Sequence, residues 1–262
     1  MLEAIEGEVT GNTIGAARAA AIFSVEARGL IIARNTIRNA GNNGIQVWRS
    51  QVGDDGTQVL DNRIEDTAAQ AGGSGQNGNA INVFRAHNVT VRGNRIRNAA
   101  FSAVRGNAAS NIQITSNTCT GLGEVAIYAE FGFEGAVIAN NTIDGAAIGI
   151  AVTNFNEGGR LAVVQGNLIR NLVPKRPTGT DPNDSAGIGI GVEADTAVTG
   201  NTIENAPTAG IAVGWGQYLR DVSVTGNVVR SAGSAPVSSS GSSAASGCAA
   251  RRHSAVSACF GS

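Results

Sequence analysis

Four polar side chains stand at the centres of short apolar triplets. They are Gln46 in Ile45-Gln46-Val47, Asn82 in Ile81-Asn82-Val83, Arg105 in Val104-Arg105-Gly106 and Tyr128 in Ile127-Tyr128-Ala129. An amide and a guanidinium both donate to a carboxylate. A phenol beside a cation is expected to have a lowered pKa. Tyr128 could then move a proton, with His87 as its counterpart. This set fits metal-independent β-elimination, with Asn82 and Arg105 neutralising an acidic group and Tyr128 and His87 serving as base and acid. Glycoside hydrolysis instead needs two carboxylates about 5–10 Å apart, and Glu130 is the one carboxylate read beside this row. A pyranose ring offers a CH-rich face and many hydroxyls, so aromatic side chains beside hydrogen-bonders suit it. Gln46, Trp48, Asn82, Phe84, Arg85 and Glu130 are therefore candidate substrate contacts. The competing reading is an ordinary solvated sheet face, which needs no function.

Metal chemistry has thinner support. Asp54-Asp55, and separately Asp181 with Asp184, could offer oxygen ligands to calcium. Both pairs sit in Gly- or Pro-rich stretches, where Asp favours turns in any case. No nucleotide loop or Gly-x-Ser-x-Gly run occurs, and no cofactor is expected. The three cysteines do not make a disulfide framework, and Cys119 stands where other repeats carry Ile, as a buried thiol would.

The elements that position these residues follow from a repeat. Asn-x-Ile recurs at Asn12, Asn35, Asn62, Asn94, Asn141, Asn167 and Asn201, with looser copies at Asn117 and Asn227. Spacings of 23 to 34 residues mark a solenoid. Each turn holds an Ile-x-Val strand, a second strand before the Asn and a third, very short strand after it. With no helical stretch between them, these predict an all-β, right-handed parallel β-helix of about eight or nine rungs, about 40 Å long at about 4.8 Å per rung. Its corners carry a ladder of stacked Asn amides. Each Asn is expected to turn the chain with positive φ, which Asn tolerates better than any residue but Gly. The polar centres then fall in one row over four rungs, beside Trp48, Phe84 and Glu130. Extra residues precede and follow the Ile-x-Val strand, notably 69–78, 174–184 and 48–56, and spare the Asn corner. Loops on both flanks of one strand column imply a groove with that column as its floor.

Charge and composition narrow the partners. The chain has 262 residues and a net charge of −1, so nucleic acid and anionic membrane are poor electrostatic partners. No apolar run approaches the roughly 20 residues of a membrane span. The β-helix is expected over 1–230, entered in mid-pattern without a cap or signal peptide, as if an N-terminal portion were missing. Residues 231–262 are rich in Ser, Ala and Gly and lack alternation, which suits a disordered tail or a shifted reading frame equally.

The repeat form resembles the right-handed β-helix superfamily of pectate lyases, polygalacturonases and alginate epimerases over about residues 8–230. That resemblance implies a polysaccharide groove on the Ile-x-Val column, but none of that superfamily's catalytic motifs occurs. Asp181-Pro182-Asn183-Asp184 is a near miss to an epimerase motif. The runs Val47-Trp48-Arg49-Ser50, Gly53-Asp54-Asp55-Gly56, 73–86, 131–135 and 153–159 are similar to the twin-arginine-translocated repeat proteins of alphaproteobacteria. That family implies periplasmic or secreted location and supplies no established reaction. Two functions remain open at this point: a carbohydrate-active protein, with elimination favoured over hydrolysis if it is an enzyme, and a non-catalytic envelope solenoid that binds glycan or another partner. Nothing in the sequence sets the oligomeric state.

Overall fold

The structure is a computed structural model. It describes residues 2–3, 6–73, 75–154, 160–177 and 185–233, and the backbone of 235–239 and 256–260. Three columns of short parallel strands wind into a β-helix. The first column forms the floor sheet and includes Ala20–Val25, Asn43–Asp54, Asn79–His87, Val104–Asn107, Val125–Glu130, Ile148–Thr153, Ile188–Val192 and Ala209–Val213. Each strand pairs in parallel with the next along the chain. The second column runs through Gln58–Leu60, Thr90–Arg92 and Ile112–Thr115, and the third through Arg63–Thr67, Arg95–Ala99 and Thr118–Leu122. Among the described residues the only helical turn is the 3-10 segment Gly216–Tyr218, and no helix is long and apolar enough to cross a membrane.

The core is the inward half of each alternating pattern. Ile45, Val47, Ile81, Val83, Ile150, Val152, Ile190, Val192, Ile211 and Val213 are all buried, as their spacing requires. Each such side chain stabilises the fold by about 1.5–3 kcal/mol through burial. Cys119 takes an Ile position in the third column, opposite Ile96 and Ile143. It is buried, and burial pushes its thiol up to about 12.

The asparagine ladder is continuous. Asn12 donates from Nδ2 to Oδ1 of Asn35 at 2.9 Å, and the same link repeats to Asn227 at 2.9–3.0 Å. The other amide hydrogen reaches a second-column carbonyl, as from Asn94 to Val59. One expectation fails here. The ladder residues do not carry positive φ; the residue before each does, namely Gly11, Arg34, Asp61, Gly93, Ser116, Asn140, Gly166, Gly200 and Gly226. Corner formation and amide stacking are thus divided between neighbours. The left-handed residue faces outward and varies in type, while the Asn must be Asn to satisfy a buried column of donors and acceptors.

The strands do not end with the sequence repeat. Val222–Ala232 spans the expected boundary at residue 230, and the backbone of Ala235–Ser239 adds a parallel strand beside Ala209–Val213. Val256–Phe260 pairs antiparallel with Val222–Ala232.

Candidate functional site

Register alone assembles the row. Phe23, Gln46, Asn82, Arg105, Tyr128, Ala151, Gly191 and Ala212 are successive partners on the floor sheet. One step along, Trp48 pairs with Phe84, then Asn107 with Glu130. The Trp48 and Phe84 rings stack at 6.4 Å between centroids and 16° between planes. A pocket of about 250 Å³ is lined by Gln46, Trp48, Asn82, Phe84, Arg105 and Glu130, with Asn107, Phe131, Gly75 and Gln76 completing its wall. Six residues picked from spacing therefore share one concavity.

Its electrostatics differ from the sequence expectation. Arg105 grips Glu130 with two bonds, Nε to Oε1 at 2.6 Å and Nη2 to Oε2 at 2.8 Å. Its Nη1 donates to Glu124 Oε2 at 3.2 Å. Glu124 in turn accepts from Arg176 Nη1 at 3.1 Å, and Glu130 from Asn107 Nδ2 at 2.9 Å. Both carboxylates and Arg105 are buried. The cation read as a free partner for an acidic substrate is thus already neutralised from both sides. Neither Glu124 nor Arg176 was legible as part of the site: Glu124 occupies no repeat position, and Arg176 comes from 52 residues farther along the chain.

Tyr128 corrects the acid–base assignment. The Arg105 guanidinium does lie over its ring, 4.8 Å from the centroid. Yet burial first, and Glu130 second, push the phenol up to about 12, outweighing the hydrogen bond with Thr153 and the arginine. A phenol held neutral in this way is a poor base at ordinary pH. His87 is not brought to it. Register sets His87 opposite Asp54, five residues beyond Asn82, while Tyr128 is two rungs away. At about 3.3 Å per residue and 4.8 Å per rung, an extended strand would set the backbones about 19 Å apart. Direct or single-water proton transfer does not span that gap.

The flanking segments also depart from plain loops. Residues 48–54 belong to the strand Asn43–Asp54, whose register slips against the next strand between Phe84 and Ala86. Arg85, at φ 58°, turns there; its guanidinium covers the Phe84 ring at 4.7 Å and donates to the Ser50 carbonyl at 2.6 Å. Arg85 thus buttresses the aromatic pair and does not line the pocket. On the other flank, residues 75–78 fold over the row. The Gln76 carbonyl accepts from Asn82 and from Asn43, both at 2.9 Å. Gly75 lies so close that a Cβ there would stand 2.7 Å from the Arg105 Cζ, so glycine is required for this approach. The expected open groove is reduced to a pocket roofed by that segment.

Calcium finds no gathered ligand set at Asp54-Asp55. Asp54 accepts from Asn88 at 2.7 Å, whereas Asp55 accepts from the Thr57 hydroxyl and lies 3.7 Å from Arg49. Among the described residues no three His, Cys, Asp or Glu side chains cluster. Asp181 and Asp184 lie outside the described residues, as do residues 155–159.

The fold and sequence together define the class: residues 51–229 match the right-handed β-helix region family, and the chain belongs to that family. Its strands therefore wind with the expected hand. Among solved structures, the chain is similar to PfbA, a surface protein and adhesin of Streptococcus pneumoniae. The TM-score is 0.56 at 13% identity, over 83% of this chain and 68% of that one. A second PfbA structure overlaps at a TM-score of 0.45 and 14% identity, over 88% and 71% of the two chains. The catalytic domain of a GH87 α-1,3-glucanase, in complex with tetrasaccharides, overlaps at 0.46 and 13% identity, over 87% and 54%. No curated protein matches the sequence.

Proposed function

We propose that this protein binds a carbohydrate unit in the floor-sheet pocket, and that the unit is uncharged. The observation that carries the reading is the Trp48–Phe84 stack lining the pocket, continued along the same register row by Asn107 and Glu130. Stacked aromatic faces suit the CH face of a sugar, and a buried carboxylate and amide suit its hydroxyls. Acidic sugars are disfavoured because the pocket's Arg105 is bidentate to Glu130 and also bonded to Glu124, leaving a uronate no cation to replace them. The same pairing, with a neutral Tyr128 and a remote His87, supports binding without β-elimination. PfbA is called an adhesin, but likeness at 13% identity speaks for fold alone, and the reading rests on the pocket.

We also propose that the chain is an exported protein, periplasmic or at the cell surface. The support is its likeness to the twin-arginine-translocated repeat proteins in runs such as Val47-Trp48-Arg49-Ser50. The functional test is a glycan array carrying neutral and acidic oligosaccharides, probed with the intact protein and with Trp48→Ala. Retention of neutral glycans by the wild type, lost in the variant, supports the reading. Binding confined to acidic glycans, or ultraviolet absorbance from new double bonds in a bound uronan, rejects it.

A further inference from the structure

The outer face of the second and third columns carries a charge concentration that the pocket does not use. Over three consecutive rungs it presents six arginines, Arg34, Arg38, Arg63, Arg92, Arg95 and Arg97. Three carboxylates, Asp61, Glu65 and Asp66, accompany them. The whole chain has a net charge of −1, so this excess is local. Register sets four of the arginines in two charged rows, Arg63 beside its rung partner Arg95 and Glu65 between Arg38 and Arg97, while Arg92 is flanked by Leu60 and Thr115. Within a row, side chains repeat at about 4.8 Å.

This face already holds one carboxylate. Glu65 accepts from Arg38 Nε at 3.1 Å and from Arg63 Nε at 2.8 Å, and Arg97 Nη2 stands 3.6 Å away. Hydrogen bonds from Arg63, then Arg38, keep its carboxyl below the usual range. The three arginines remain 47–54% exposed, so the Glu65 carboxylate does not exhaust their donors. Arg34, Arg92 and Arg95 are exposed and have no ion pair among the described residues.

We infer that this arginine face binds an acidic polysaccharide, a stiff chain bearing carboxylates at regular intervals. Planar guanidinium forks match carboxylates with two parallel bonds. Rows fixed to the rung spacing favour a partner whose charges are also fixed, because a flexible acidic peptide must lose more conformational freedom to fit. Nucleic acid is less suited, since the outward residues of these rungs include no aromatic side chain to stack a base. The face lies on different sheets from the pocket and does not depend on it.

The test uses the full chain and hyaluronate, with neutral dextran, polyglutamate and duplex DNA as comparators, by titration calorimetry at low and at physiological salt. Hyaluronate binding should weaken as salt rises, since exposed charges are screened within a Debye length of about 8 Å at physiological ionic strength. The double variant R92A/R95A should lose about tenfold or more in affinity, as removal of charge-assisted bonds implies. Its thermal unfolding should match the wild type, because neither side chain has an ion partner. Trp48→Ala should leave hyaluronate binding intact, which separates this face from the pocket. Absence of hyaluronate binding, equal binding by R92A/R95A, or tighter binding of polyglutamate or DNA would each overturn the inference.

Discussion

At the scale of single residues, the ladder amides and Tyr128 show how burial changes what a side chain can do. Asn94 accepts both the backbone N–H and the amide of Asn62, and donates to Asn117 and Val59. Asn94→Ala leaves buried donors on Asn62 unsatisfied, at a cost of about 3 kcal/mol or more. Asn12 is exposed at the ladder's first position and only donates along it, so Asn12→Ala should cost about 1 kcal/mol or less. Urea unfolding of the two variants checks the contrast; equal losses would deny the ladder its role. Tyr128 carries a pH signature. Its phenol is pushed up to about 12 in the folded protein, above the unfolded value of about 10. The unfolded chain therefore releases this proton first as pH rises. Its contribution to stability is complete below about pH 10 and is lost between about pH 10 and 12. Tyr128→Phe should flatten that decline in denaturation curves. The chain has only Tyr128 and Tyr218, so tyrosinate absorbance should also show one ionisation delayed to about pH 12.

Among the elements, what the sequence showed and what it hid have different physical origins. Strand columns, their inward residues and the row from Gln46 to Tyr128 were legible because each depends on a two-residue alternation repeated on every rung. The site's charge balance was not, because Glu124 and Arg176 lie outside the repeat and meet Arg105 only through folding. Nor was the roof over the row, which depends on one close approach at Gly75. Position on the strand also decides what a glycine does. A Cβ on Gly149 would meet the Gly189 carbonyl and the Ile169 side chain, both at 2.5 Å, whereas one on Gly191 would meet nothing within 4 Å. Gly149→Ala should therefore cost about 1–3 kcal/mol through overpacking. Gly191→Ala should be neutral or stabilise by up to about 1 kcal/mol, since it lowers the entropy of the unfolded chain. Thermal unfolding of the pair distinguishes them; a destabilised Gly191→Ala would mean that the outer floor is more crowded at that rung than the structure has it.

The whole molecule is a stack whose polarity is uneven. The floor row is amide, guanidinium and phenol on the rungs of Gln46 to Tyr128, then Ala151, Gly191 and Ala212. The pocket lies on those polar rungs, and the arginine face lies on the adjoining sheets. The account's central claim is that a neutral glycan occupies the pocket against Trp48. Trp48 and Trp215 are the only tryptophans, and Trp215 is exposed at 56%. Trp215→Phe therefore leaves Trp48 as the single reporter. Its fluorescence, titrated with a neutral oligosaccharide that binds the protein, is the direct measurement. The account expects a saturable change in Trp48 emission with the same midpoint as binding. Binding that leaves the Trp48 emission unaltered would place the sugar elsewhere and contradict it.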